Sequence, residues 1–235
     1  MSQHKYALEL ISELGLAETK PSSTPLKVNQ KLTSVDFDRI TSSSDDSVQD
    51  PLLKDAGEYQ RLVGRLLYLT MTKPDISFVV QTLSQYMHSP KQSHLDAARR
   101  DVKYVKNALG QGLLLPSSGD GTLKAYCDAD WGACLQTRRS VTGYCVFFGN
   151  ALISWKSKKQ DTVARSSAEV EFRSMASTAA EIVWPIGLFG ELDVKLQLLW
   201  LYSVIARQQS KSQQILSFMN VRSILTLIAI LLERR

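Results

Sequence analysis

The stretch L-K-A-Y-C-D-A-D-W (123–131) alternates apolar and polar residues, and with it the chain passes from helical spacing to the period of a strand. Working outward, Leu123–Asp128, Val141–Phe148 and Ala151–Trp155 read as three successive strands, with Gly149-Asn150 as the tight turn between the last two. An antiparallel meander is expected. The next stretch, S-S-A-E-V-E-F (166–172), opens a helix over Ser167–Phe189, with Val170, Met175, Ala179, Ile182, Val183 and Leu188 on helical spacings. The Ser-Ser pair can cap its exposed amides, and Pro185 is expected to kink or end it.

Before Gly121 the pattern is helical. Tyr6, Leu10, Ile11 and Leu14 predict a short amphipathic helix over 3–14, stopped at Gly15. From Thr19 to Asp50 the chain is rich in Ser, Thr, Asp, Pro and Lys with few aromatics, a composition that reads as a linker or long loop. Leu62, Val63, Leu66, Leu67 and Leu69 then mark a buried helix from Tyr59 to about Thr72. Pro74 starts another, with Ile76, Val79, Val80, Leu83 and Met87 on its inner face. A third, His94–Leu109, is closed by Gly110. It turns Leu95, Ala98, Val102 and Val105 inward and Arg99, Arg100, Lys103 and Lys106 outward. That basic row could track phosphates, although a solvated helix face is the more common meaning of such a pattern.

Composition narrows the class of protein. With 235 residues, 44% hydrophobic and 22% charged, the chain suits one medium or two small globular domains. A net charge of +5 and a pI near 9.1 favour polyanionic partners modestly. Cys127, Cys134 and Cys145 are odd in number and lack C-x-x-C spacing, so reduced thiols without a disulfide partner are expected. The N-terminus shows no secretory signal, and the run Ile224–Leu232 is far shorter than the roughly 20 residues needed to cross a bilayer. An intracellular protein, in cytoplasm or nucleus and without a membrane anchor, is the expectation.

The acids carry the chemistry. Asp128 falls at a strand end and Glu171 in the first turns of the following helix, so the two can meet. Isolated acids in such places usually face water or a helix dipole. Asp130 and Glu169, two residues away from that pair, are expected to point elsewhere as supporting or neutral acids. Trp131 and Trp155 read as core aromatics. Two-metal phosphodiester hydrolysis needs several carboxylates converging on ions about 4 Å apart, and two carboxylates rarely hold both.

The motifs around these acids carry a resemblance. Y-Q-R-L-V-G-R-L-L-Y-L-T-M-T-K-P-D-I-S-F-V-V-Q-T-L-S-Q-Y-M (59–87) closely resembles the end of a copia-type LTR-retrotransposon reverse transcriptase. K-A-Y-C-D-A-D-W-G-A-C (124–134), T-R-R-S-V-T-G-Y-C-V-F-F-G (137–149), I-S-W-K-S-K-K-Q (153–160) and A-R-S-S-A-E-V-E-F-R-S-M-A (164–176) resemble the ribonuclease H domain that follows it. The resemblance covers roughly residues 3–197. It implies an α/β (α+β) chain in which a helical reverse-transcriptase connection segment precedes an incomplete ribonuclease H-like fold. It further implies Mg2+ as cofactor and an RNA–DNA hybrid as partner. Asp128 then matches the first catalytic, metal-holding aspartate and Glu171 the helix glutamate. A non-catalytic alternative is a nucleic-acid binder using Arg99, Arg100, Lys103 and Lys106 together with Lys156, Lys158, Lys159 and Arg165.

The departures matter as much as the match. No Y-x-D-D aspartate pair occurs, so DNA synthesis is not expected. The family's third aspartate, in a C-D-N or C-D-S pattern on a strand after the Glu171 helix, is missing, and the only acid in 198–235 is Glu233. Rereading the back-translated tail from the third base of each codon restores a family-like continuation. Met219-Asn220 then forces a glutamate, and C-D-S becomes permitted with its aspartate across Val204 and Ile205. A frameshift near Gln197–Leu199 is therefore expected, which genomic sequence across that junction tests. The domain reading is a short helix from the reverse transcriptase (1–18), a linker (19–57), a helical connection segment (58–120), a truncated ribonuclease H-like domain (121–197) and a shifted-frame tail (198–235). The favoured function is a remnant without robust cleavage, a weakly active ribonuclease H being the catalytic alternative.

Overall fold

In the computed structural model, α1 (His4–Glu13) forms where the spacing predicts it and buries Leu10 and Ile11, while Gly15 ends the turn at a positive φ of 63°. The structure describes residues 1–27, 30–41, 50–117 and 119–199. It divides into two compact units, a helical one built on residues 1–115 with 134–138 and 156–158, and a sheet-bearing one made of 116–133, 139–155 and the chain from Lys159 on.

In the helical unit, Asp55 caps α3 (Ala56–Leu69), its carboxylate accepting from the Gly57 amide at 2.8 Å. Tyr59, Leu62, Val63, Leu66 and Leu69 form the buried stripe of α3, and the Tyr59 hydroxyl donates to Leu83 O at 2.7 Å. The single helix expected after Pro74 is in three pieces. A 3-10 turn at Pro74–Ile76 leads into α4 (Ser77–Leu83), and a second 3-10 turn follows at Ser84–Tyr86. The third long helix, α5 (Gln92–Asn107), starts and stops two residues earlier than its sequence limits. It ends at Ala108, whose carbonyl accepts from the buried Lys73 Nζ at 2.7 Å.

The segment read as a linker does more than connect. It contains α2 (Val35–Thr41), and Leu26, Leu32 and Leu53 pack against the helical core. Lys91, with a side chain only 4% exposed, pairs with both Asp38 and Asp50 and also donates to Thr33 Oγ1. His94 stacks on Tyr86 at 4.1 Å, accepts from the Lys91 amide through Nδ1 and faces Thr33 O through Nε2. A composition-based reading misses this, because long-range pairing recruits polar residues that cannot build a core alone.

In the second unit, β1 (Thr122–Asp130), β2 (Val141–Phe148) and β3 (Ala151–Lys159) form the expected antiparallel meander, with Gly149 at φ 57° in the hairpin turn. A short fourth strand, β4 (Gln197–Leu199), joins β1 in parallel with Thr122 opposite Gln197, giving the order β3-β2-β1-β4. On the side away from β2, β1 thus gains three residues of parallel strand. From residue 200 on, the tail read as out of frame lies outside the described residues, as does the run Ile224–Leu232.

Between β3 and β4 runs α6 (Ser167–Glu191), and Pro185 does not end it. Its buried line is Val170, Ser174, Thr178, Ile182 and Pro185. Ile182 packs with Leu123 and Val146, and Phe189 stacks on Phe148 at 4.6 Å. Leu188, expected on the inner stripe, is instead exposed beside Trp184 and Leu192. Among the described residues no helix is long and apolar enough to cross a membrane.

Candidate functional site

Strand β1 delivers Asp128 near its end, opposite Gly143 of β2, and the carboxylate accepts from the next amide, Ala129 N, at 2.8 Å. Helix α6 delivers Glu171. Ser174 Oγ, three positions farther along α6, donates to Asp128 O at 3.1 Å and so fastens the helix to the strand. Thr178 Oγ1 donates to Ser174 O at 2.8 Å, and both hydroxyls act on the buried Cys127 thiol, which burial pushes up. Desolvation raises the Glu171 carboxyl above the ordinary glutamate value, and the neighbouring Asp128 carboxylate raises it further. The two acids singled out from the sequence are therefore brought together.

Their neighbours part company. Asp130 does not point away from Asp128 as expected, because β1 runs on to residue 130 and alternation with period two returns it to the same face. Both aspartates are exposed. Glu169 belongs to the start of α6. Ser166 Oγ accepts from Glu169 N at 3.2 Å, and the Glu169 carboxylate accepts from Arg165 N at 2.7 Å and from Arg173 at 2.6 Å. These bonds, the Arg165 amide first, hold its carboxyl below the usual range. Ser174 and Thr178 were missed in the sequence. Their signal was available as a polar continuation, 171–174–178, of the line that becomes apolar at Ile182.

A divalent ion sets a stricter test. Among the described residues no group of three or more His, Cys, Asp or Glu side chains is arranged to hold a metal. Two carboxylates, Asp128 and Glu171, are fewer than two-metal chemistry requires. No disulfide joins Cys127, Cys134 and Cys145.

The basic row on α5 is largely engaged within the helical unit. Arg99 pairs with Glu58 at 3.0 Å, and Arg100 donates to Thr24 Oγ1 at 2.9 Å. Lys106 Nζ donates to the carbonyls of Leu16 and Thr19, just past α1, while Lys103 is half-buried. On β3, Lys156 and Lys158 are exposed and share a face, Lys159 is half-buried, and Arg165 is exposed just before α6.

No family model matches the chain, and no solved structure matches it. Among curated proteins, it is 41% identical over 184 residues to an uncharacterized mitochondrial protein of Arabidopsis thaliana, covering 78% of this chain and 71% of that protein. It is 38% identical over 196 residues to the retrovirus-related Pol polyprotein from transposon RE1 of Arabidopsis thaliana, covering 83% of this chain and 12% of the polyprotein. The corresponding Nicotiana tabacum polyprotein, from transposon TNT 1-94, is 31% identical over 185 residues, 78% of this chain and 13% of its own length. The chain thus spans about an eighth of the Pol polyproteins it matches. Matches of this extent, on the motifs that carry Asp128 and Glu171, place the chain in the family of copia-type retrotransposon Pol polyproteins.

Proposed function

We propose that the chain is a piece of a copia-type Pol polyprotein in which the end of a reverse transcriptase precedes a ribonuclease H-like unit, and that its ancestral activity, magnesium-dependent cleavage of RNA in an RNA–DNA hybrid, is lost or nearly lost. The observation that carries this reading is the coupled pair Asp128 and Glu171, with which no third His, Cys, Asp or Glu is arranged to hold a metal among the described residues. The sequence supports it, since the stretch after β4, W-L-Y-S-V-I (200–205), contains no acid.

Hydrolysis of a hybrid in magnesium, by the full chain and by Asp128→Asn, tests the reading. Equal signals at background are expected. Cleavage by the wild type well above that of Asp128→Asn would overturn it and establish the weakly active enzyme. A second reading, non-catalytic binding of nucleic acid, draws on Lys156 and Lys158 sharing an exposed face of β3. Hybrid affinity that falls steeply with salt supports it, and salt-independent or absent binding removes it.

A further inference from the structure

The inner stripe of α5 contains a residue that no packing role explains. Its buried positions are His94, Leu95, Ala97, Ala98, Asp101, Val102 and Val105, so an aspartate stands three residues after Ala98 and four before Val105 on the face turned into the core. Asp101 is 0% exposed. Neither of its carboxylate oxygens has a hydrogen-bond partner among the described residues. Among the described residues no ion pair to it is seen, and Arg99, Arg100 and Lys106 of α5 bond to partners elsewhere.

Its electrostatic surroundings make matters worse for a charge. Asp75, from the turn at Pro74–Ile76, is a second carboxylate acting on Asp101, and Tyr104 of α5 hydrogen-bonds to Asp75 and feels both acids. Lys73 is drawn toward Asp75, but its ammonium is held on Ala108 O. From α4, S-F-V-V-Q-T-L brings no ionisable side chain. On α3, Glu58 pairs with Arg99, and the Tyr59 hydroxyl donates to Leu83 O. On α1, Glu13 pairs with Arg65, whose guanidinium lies over the Tyr6 ring. An enclosed, unpaired carboxylate next to another negative charge is among the costliest arrangements in a folded protein.

We propose that Asp101 is an acid-favoured latch in the helical unit: the fold accepts it as the uncharged carboxylic acid, and its ionisation as pH rises loosens α5 from the core. The sign follows from linkage. Burial and Asp75 raise the carboxyl in the folded chain, so the folded state holds a proton that the unfolded chain has already released. Stability is therefore fully present below the ordinary carboxyl value near ~4 and declines as pH climbs toward the folded-state value. His94 acts in the opposite direction, since it is buried neutral and opposes folding only when acid protonates it.

Hydrogen exchange of the full chain, followed on peptides from 92–107 between pH 7 and 9, above the range in which His94 changes charge, and corrected for intrinsic exchange, tests the latch. In the wild type, protection of α5 is expected to fall by up to about tenfold per pH unit until Asp101 ionises in place, as for one linked proton. Asp101→Asn, nearly the same shape and unable to ionise, is expected to flatten the profile. Asp101→Leu is expected to do the same with greater protection at pH 8. A flat wild-type profile, or a wild-type slope retained in both variants, would overturn the proposal.

Discussion

Glu171 owes its raised carboxyl first to burial against β1 and then to Asp128, so the two causes can be separated by removing one. In Asp128→Asn the Glu171 carboxyl is expected to titrate lower, part of the way back to the ordinary value, as read from its carboxyl carbon resonance. An unchanged titration would show that burial alone sustains the shift. Lys91 is the other decisive single residue, an enclosed ammonium that ties Asp38 and Asp50 to the start of α5. Lys91→Met leaves those carboxylates without their cation. It is expected to cost about 2 kcal/mol in urea unfolding, below the ~3–5 for a fully enclosed pair because both acids keep some access to water. The loss should be accompanied by faster exchange over 30–41. Unchanged exchange there would separate the ion pairs from the docking of the segment.

At the scale of elements, α6 sets the site, because its first turn fixes where Glu171 stands. That turn is held by the Ser166 hydroxyl on the Glu169 amide and by the Glu169 carboxylate on the Arg165 amide and Arg173. Ser166→Ala is expected to cost about 1 kcal/mol of stability, with faster exchange confined to the first turn of α6. A uniform effect along the helix would mean that the cap is not local. The strands of the meander and the long helices could be read from periodicity, since apolar residues recur where one face must be buried. Three features could not. Pro185 stays inside α6, the segment after Pro74 breaks into short turns, and Leu188 faces outward because the buried line of α6 is completed by Ser174 and Thr178. Polar residues satisfied across elements do not register in a hydrophobic pattern.

For the molecule as a whole, the helical unit carries two buried groups that oppose each other in pH. Desolvation and Lys91 lower His94 to about 4, so the stability tied to its neutral form is present above the solution value of roughly 6.5 and is lost as pH falls through about 4. Asp38 and Asp50, held below the usual carboxylate range by their bonds to Lys91, Thr33 and Ser93, add to the loss on the acid side. Asp101 acts on the alkaline side. Urea midpoints of the full chain are therefore expected to peak at mildly acidic pH, and His94→Asn to make the acid limb shallower, with the share of Asp38 and Asp50 remaining, while leaving the alkaline limb intact. An alkaline limb that disappeared with His94 would contradict this division.

The residue order alone was enough for the run of helices, the change to strands at Gly121, the hairpin at Gly149-Asn150 and the pairing of Asp128 with Glu171. Each depends on local spacing, on a turn that needs a particular backbone, or on motifs dense enough to show the family. Tertiary structure decided what the polar residues do: Lys91 and His94 gather a segment that composition marks as a linker, Glu169 turns to capping while Ser174 fastens the site, and Arg99, Arg100 and Lys106 face partners within the helical unit. Asp101 shows the reason most plainly, because an aspartate on a helix is unremarkable in sequence and becomes a stored cost only when neighbouring elements close over it and, among the described residues, give its oxygens no partner.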